Sequence, residues 1–395
     1  MRTLRDKLHI SALDLRLVIM AGVLAAMALG FHLVTGQFLS PENLYNVAQQ
    51  SAVVGIVAAA MGLVIVSRQI DLSVGSVLAT VGVAVAYLMY SKGWHWIPAC
   101  LFGLGLSLVI SLYQGWLTSY LGVASFVVTL GGLVSFRGIA FLFSDGRTQP
   151  VTDQTFLLIG GGLDGAIGTT ASWALGLAMS ALVVWKTVQR RRSEATHGIP
   201  SRPLPVDIAF STFFAAVILG FVATMNAYQI PTKTAPQGIP NPVLIWAAVV
   251  AFIAFIVNRT SFGRYIYAIG GNPEAAALVG IPVRWVTLKI FLLLGVIVAI
   301  AAVVAVSRLN AGTASLGSGM ELYAIAAAVI GGVALAGGSG TVLGTVLGSL
   351  IIQFLESGLL LLDVGVGQRL VIIGQVLIVA VVFDVVYRRA TGERL

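Results

Sequence analysis

For most of its length this chain shows neither the period of an amphipathic helix nor the alternation of a half-buried strand. Apolar residues continue for the thickness of a membrane, yield to a short polar stretch, and resume. About twelve such segments can be drawn, at residues 17–35, 47–67, 74–90, 97–119, 125–143, 172–188, 206–224, 243–258, 286–307, 320–336, 341–362 and 369–387. Most approach the ~20 residues that a spanning helix needs, and in hydrocarbon only helices and closed barrels satisfy their own backbone hydrogen bonds. The predicted fold is therefore all-α and polytopic: one transmembrane domain over residues 1–395, with no soluble domain left to place. The first run, 17–34, follows basic residues and contains Ala26-Met27-Ala28, which imitates a signal-peptidase site; hydrophobicity continues through Phe31, so it is read as a retained span.

Residues 270–282, GGNPEAAALVGIP, break the pattern. Asn272 is a good N-cap, Pro273 suits a first helical position that needs no amide hydrogen, and Glu274 puts negative charge at the positive end of the helix dipole. Gly280 suits the left-handed position after a helix and Pro282 forbids continuation. The spacing predicts a helix over 273–279, roughly 10 Å long. Two turns are unstable alone in water. The small apolar body Ala275-Ala276-Ala277-Leu278-Val279 must be held, either against its own membrane domain or in a groove of another protein.

Composition sharpens the membrane reading: 58% of residues are hydrophobic and only 10% charged, against about 25% charged in soluble domains. The net charge of +8 speaks through its distribution and not for nucleic acid. With the N-terminus on the inner side, alternation places Arg68, Arg190-Arg191-Arg192, Arg202, Arg259, Arg264 and Arg284 inside. Lys92, Arg147, Lys233, Arg308 and Arg369 fall outside, with Arg137 within a span. That bias predicts both termini in the cytoplasm. The tryptophans, Trp94, Trp96, Trp116, Trp173, Trp185, Trp246 and Trp285, fall near segment ends, where an indole favours the headgroup zone. Gly340, Gly344 and Gly348 lie four apart, a spacing that lets helix backbones approach closely. Cys100 is single and sits in an apolar run, and the four histidines have no metal-ligand spacing, so no metal site is expected.

Candidate chemistry is sparse. Gly337-Gly338-Ser339-Gly340-Thr341 is glycine-rich but lacks the lysine of a phosphate-cradling loop, and no catalytic constellation is visible. Polar residues within spans are the candidates for a substrate path: Asp71 and Ser73 at a break between the second and third segments, Ser125 and Thr129 four apart in the fifth, and Arg137 two-thirds along it. Each has a structural alternative: a cap for Asp71, backbone carbonyls for the hydroxyls, outward snorkelling for Arg137. Gln353 and Glu356 share a helix face near the outer end and are read as rim residues. Gly75-Ser-Val-Leu-Ala-Thr-Val-Gly82 echoes Gly340-Thr-Val-Leu-Gly-Thr-Val-Leu347, in the manner of an internal repeat.

Glu274-Ala275-Ala276 followed by Gly280 resembles the EAAxxxG cytoplasmic loop of ABC-importer permeases, whose short coupling helix docks in a cleft of a separate ATPase. The runs Phe262–Asn272, Ile70–Ser76, Ser125–Leu130, Phe136-Arg137-Gly138 and Ala326–Gly340 resemble those of monosaccharide permeases of the ribose and xylose type. D-xylose permeases are also similar in carrying an added helix pair, here 172–224, before the coupling loop at 259–285. The resemblance implies a type II importer permease in the bacterial inner membrane, and xylose or a related pentose as substrate. It implies two ATPase subunits that bind the ATP, a periplasmic sugar-binding protein and a second permease protomer as partners, with no cofactor in this chain. By the same resemblance Asn272, Pro273, Glu274, Ala275, Ala276 and Gly280 form the ATPase-coupling element. The rival readings are an ion-coupled secondary transporter using Asp71 or Arg137, and a scaffold that docks a partner through 272–282.

Overall fold

The computed structural model describes residues 12–162, 164–197, 203–229 and 236–391. Its helices are α1 (Ala12–Thr35), α2 (Pro41–Val66), α3 (Val74–Tyr90), α4 (Trp96–Ser119), α5 (Ser125–Ser144), α6 (Gln154–Leu157), α7 (Thr169–Thr196), α8 (Leu204–Ala227), α9 (Asn241–Arg259), α10 (Ser261–Gly271), α11 (Pro273–Leu278), α12 (Val283–Leu309), α13 (Met320–Ile330), α14 (Val342–Leu361) and α15 (Val366–Thr391). A two-residue antiparallel ladder joins β1 (Gln149–Pro150) to β2 (Ala311–Gly312). Among the described residues nine helices are long and apolar enough to cross a membrane, and three shorter apolar helices cover Val74–Tyr90, Met320–Ile330 and Val366–Val379. The expected all-α polytopic architecture is borne out.

Helix ends follow local chemistry. Ser40 accepts a hydrogen bond from the Asn43 amide (3.2 Å) ahead of Pro41, and Thr341 accepts from the Gly344 amide (3.1 Å) at the start of α14. Asp145 and Asn310 close α5 and α12 in left-handed conformations, at φ 52° and 54°.

Helices α2, α3 and α12 form the centre, buried along most of their length. From Ala52 to Val66 helix α2 is apolar on every side, as an enclosed stretch of helix must be. Helix α9 reaches it through Trp246, whose ring lies so close to Gly55 that a Cβ there would collide with it. Trp246 is thus a buried packing residue and not the interfacial anchor that its place near a segment end predicted. The glycine spacing of α14 does what the sequence implied: a Cβ at Gly344 or Gly348 would strike the carbonyl oxygens of Gly331 and Ala327, so α13 and α14 touch backbone to backbone.

The helix pair α7–α8 stands at the periphery. Gly176 admits Val222 between the two helices, and at their far end Arg190 and Arg191 both bind the buried Asp207 carboxylate, Arg191 at 2.6 Å. The pair reaches the centre through Val222 and Met225, which pack with Tyr45 and Ala48 of α2.

Two interruptions position the site. Between α2 and α3 the chain is irregular over 67–73 and climbs beside the first turns of α5, so that α3 starts level with Gly132, about 10 Å along α5 from Ser125. Between β2 and α13 a turn-rich segment, 313–319, descends along α3. Gly312 lies against Val83 and Ala86, Leu316 reaches Gly82, and Gly317 lies against Gly75 and Leu78, a descent of about 12 Å. Helix α13 then has 11 residues where one continuous span over 320–336 was expected. Its continuation turns back at Gly331 and Gly332.

Candidate functional site

The loop 259–285 folds into two helices. Thr260 caps α10 by accepting from the Gly263 amide (3.2 Å), and Asn272 caps α11 by accepting from the Ala275 amide (3.0 Å). At the other end the Ile281 amide donates to Ala276 O and the Gly280 amide to Ala277 O, both at 3.0 Å, with Gly280 at φ 86°. This paired closure is a Schellman motif, and its left-handed residue is the reason for a glycine at 280. Helix α11 ends at Leu278, one residue before the expected end, because Val279 is already its C-cap.

Only Ala276 of α11 is buried. Leu278 and Val279 are 89% and 78% exposed, and Glu274 and Ala275 also face outward. Two adjoining apolar side chains therefore stand free at the end and C-cap of a six-residue helix, so packing against its own domain does not account for its body.

Behind α11 lies a backbone knot. Arg68, at φ 63°, donates from Nε to Gly270 O and from Nη2 to Gly271 O, each 2.7 Å, just before the Asn272 cap. The Gly338 amide donates to Val66 O (2.8 Å), and the Tyr267 hydroxyl to Gly340 O (2.8 Å). Burial raises the Tyr267 phenol above its ordinary pKa, so it stays protonated and a donor. The glycine-rich turn 337–341 is thus engaged with α2 and α10, in keeping with its expected role as a tight turn.

The intramembrane candidates form a second group. Asp71, buried, accepts at one oxygen from both the amide and the hydroxyl of Ser73 (2.7 Å each), and Gln114 of α4 donates to that hydroxyl (2.8 Å). Ser125 accepts from the Ile70 amide and Thr129 from the Leu72 amide, both at 3.1 Å. Thr129 in turn lies within hydrogen-bonding distance of Ser125 O (2.8 Å) and Ile70 O (3.2 Å). Ser76 and Thr80 bond Ser73 O and Phe136 O at 2.8 and 2.6 Å. Asp71, Ser125 and Thr129 satisfy the amides of Ser73, Ile70 and Leu72, which the break before α3 would otherwise leave bare at about 1–3 kcal/mol for each buried orphan.

Arg137 stands apart from that cluster. Its Nη1 donates to Ala314 O (2.6 Å) and Leu316 O (2.8 Å), bracketing the descending segment to α5 instead of snorkelling outward. Glu321, in the first turn of α13, is buried against Gly75, interacts electrostatically with Arg137 and Asp71, and keeps one carboxylate oxygen without a hydrogen-bond partner. The N-termini of α3 and α13 meet here inside the bundle, and their dipoles favour the two carboxylates.

The polytopic all-helical chain thus combines interrupted helices with a capped stub between its eighth and ninth apolar segments. Residues 43–381 match the family described as branched-chain amino acid transport system / permease component. The chain belongs to that permease family. It is similar to the xylose transport system permease protein XylH of Haemophilus influenzae, 37% identical over 377 residues, which is 95% of this chain and 97% of the relative. The corresponding Escherichia coli protein is 37% identical over 382 residues, 96% of this chain and 94% of the relative. The ribose import permease protein RbsC of Escherichia coli is 30% identical over 347 residues, 88% and 87% of the two chains. No solved structure matches. The resemblance to monosaccharide permeases of the xylose and ribose type is borne out.

Within this permease some groups escaped sequence reasoning. Arg68 read only as an inner-side charge, and Gln114 was not singled out. Glu321 lies at the start of an apolar run, and its proximity to Gly75 is set by the fold alone. Gln353 was expected at a rim; it is buried and donates to Gln50 Oε1 across α2 and α14 (2.9 Å). Its helix is enclosed there by α2, and Glu356 on the same face is half-buried beside it.

Proposed function

We propose that this chain is the membrane-spanning permease subunit of an ATP-driven sugar importer, with D-xylose or a closely related pentose as its substrate. The observation that carries this reading is α11: a capped two-turn helix, tied to the bundle by Arg68, that exposes Leu278 and Val279. Such a stub is stable only when braced, and an apolar pair on a short rigid helix suits insertion into a groove of another protein. The xylose and ribose permeases among its relatives supply the substrate class. In this reading Asn272, Pro273, Glu274, Ala275, Ala276 and Gly280 are the ATPase-coupling element, and the 259–285 side faces the cytoplasm across a bacterial inner membrane. Two permease protomers form the path, two ATPase subunits grip the coupling helices, and a periplasmic binding protein delivers sugar to the opposite face. ATP biases the access states only through contacts that differ between them, and α11 offers those contacts.

The test is uptake of labelled xylose, ribose and galactose into vesicles holding the permease with its binding protein, with and without the candidate ATPase. Uptake that requires ATP and survives an ionophore is expected. Uptake without the ATPase that collapses with the ionophore would make the chain an ion-coupled carrier, and absence of uptake under every condition would leave a docking scaffold.

A further inference from the structure

We infer that the irregular segment 313–318 is the sugar-contact element of the path, with the hydroxyls of Thr313, Ser315 and Ser318 as its hydrogen-bonding groups and Arg137 as the positioning residue that holds it. This deepens the importer reading and rests on it.

The first step is elimination. Ser125, Thr129, Ser73, Ser76 and Thr80 are buried or hold backbone atoms around the break before α3, and Asp71 is engaged by Ser73. A neutral polyol approaching these side chains would have to displace bonds that keep α3 in place.

The segment 313–318 differs in exposure and in the hydroxyl pair of Thr313 and Ser315, which holds no backbone atom. Gly312, Ala314 and Leu316 are buried against the bundle, whereas Ser315 and Ser318 are exposed and Thr313 is half-buried. Thr313 and Ser315 face each other with their hydroxyl oxygens 3.1 Å apart, and Ser318 donates to Ser315 O at 2.8 Å. One hydroxyl hydrogen of the Thr313–Ser315 pair and several lone pairs therefore remain for a ligand. The pair is spaced like two neighbouring hydroxyls on a sugar ring and carries no charge.

Depth supplies the second argument. The segment follows α3 from Val83 to Gly75, well inside the bundle, and non-helical backbone at membrane depth is tolerated only when buried in protein or facing a water-filled cavity. Its inner side is buried; its outer, hydroxyl-bearing side then faces water. Interrupted helices whose N-termini meet within the membrane are where transporters place their substrates, and here those of α3 and α13 meet at Gly75 and Glu321. Arg137 completes the case. A central arginine is costly to insert, and this one directs one nitrogen at two carbonyls of this segment.

The experiment uses the full assembly of permease, ATPase and binding protein in proteoliposomes, with labelled D-xylose. Ser315→Cys and Ser318→Cys are made in a Cys100→Ala background and treated with a cationic, water-soluble methanethiosulfonate. We expect both thiols to be modified, modification to slow in saturating xylose, and uptake to fall by about tenfold or more once the site's hydrogen bonds are replaced by a bulky cation. ATP hydrolysis stimulated by the binding protein should persist, which a general loss of structure would not allow. Full modification with unchanged uptake overturns the inference, and so does a thiol that the aqueous reagent cannot reach at either position with or without ATP. Failure of the Cys100→Ala assembly to take up xylose, ribose or galactose, if shared by the unaltered protein, strikes the importer reading itself.

Discussion

Gly280 offers the cleanest perturbation of the coupling element. Its φ is 86° and nothing lies within 4 Å of where a Cβ would stand, so alanine there adds no clash and changes only the backbone preference. Holding an L-residue in a left-handed conformation costs about 1–2 kcal/mol, which lowers the population of the closed α11 by a factor of about 5–30. Asparagine tolerates that conformation and should lose less. Aspartate adds negative charge at the negative end of the helix, a further cost of about 0.3–1 kcal/mol. The assay is a titration of permease vesicles with the ATPase, read both as binding and as ATP-driven xylose uptake. The concentration of ATPase needed for half-maximal uptake should rise in the order Gly, Asn, Ala, Asp, by about 5–30-fold for alanine, and excess ATPase should restore uptake by mass action. Membrane insertion should be unchanged throughout. Gly280→Asp with full uptake and full ATPase assembly, or asparagine performing worse than alanine, would refute the reasoning.

Leu278→Ser with Val279→Ser should weaken ATPase binding by about 1.5–3 kcal/mol for each side chain that the partner buries, while thermal unfolding of the detergent-solubilised permease stays unchanged because both residues are exposed. Arg68→Gln removes two charged hydrogen bonds to Gly270 and Gly271, worth about 1.5–3 kcal/mol each; ATP hydrolysis should continue while uptake per ATP falls, and an unchanged ratio would show Arg68 to be a bystander. Thr129→Val orphans the Leu72 amide at a cost of about 1–3 kcal/mol and should lower the unfolding temperature, whereas Thr129→Ser, which keeps the hydroxyl, should not.

The spans were legible because lipid imposes a local rule: each crossing segment must be apolar over its own length and must satisfy its own backbone, so among the described residues the twelve runs fall on α1–α5, α7–α9 and α12–α15. Helix α11 was legible for a similar reason. Asn272, Pro273, Glu274 and Gly280 act on neighbours within a few residues, and cap chemistry is written where it operates. The interruptions were not legible to the same degree. Asp71 and Ser73 marked the break before α3, but nothing local announced that 313–319 would lie beside α3, since Gly75, Gly82, Gly312 and Gly317 continue an apolar composition and acquire meaning only when they touch. The same holds for Arg137, whose partners are carbonyls of Ala314 and Leu316 far along the chain. Backbone carbonyls have no sequence signature.

The two sites are joined by a short run of directional contacts. Asn272 caps α11, and the two carbonyls just before it are held by Arg68. Residues 70 and 72 are in turn held by Ser125 and Thr129, and Gly75, at the start of α3, lies against Gly317 and Glu321. None of these contacts is a loose apolar one. They are hydrogen bonds to main-chain atoms, or glycine contacts without room for a methyl group, so a shift of α10 relative to α2 must either carry residues 68–75 with it or break bonds worth about 1 kcal/mol or more apiece. Close-packed elements respond to such a load by moving between discrete arrangements instead of deforming gradually. In the importer we propose, that is the mechanical requirement for switching access at 313–318 from a handle at 273–278. On that proposal the irregular backbone at 67–73 and 313–319 is the joint, which a continuous helix would lack.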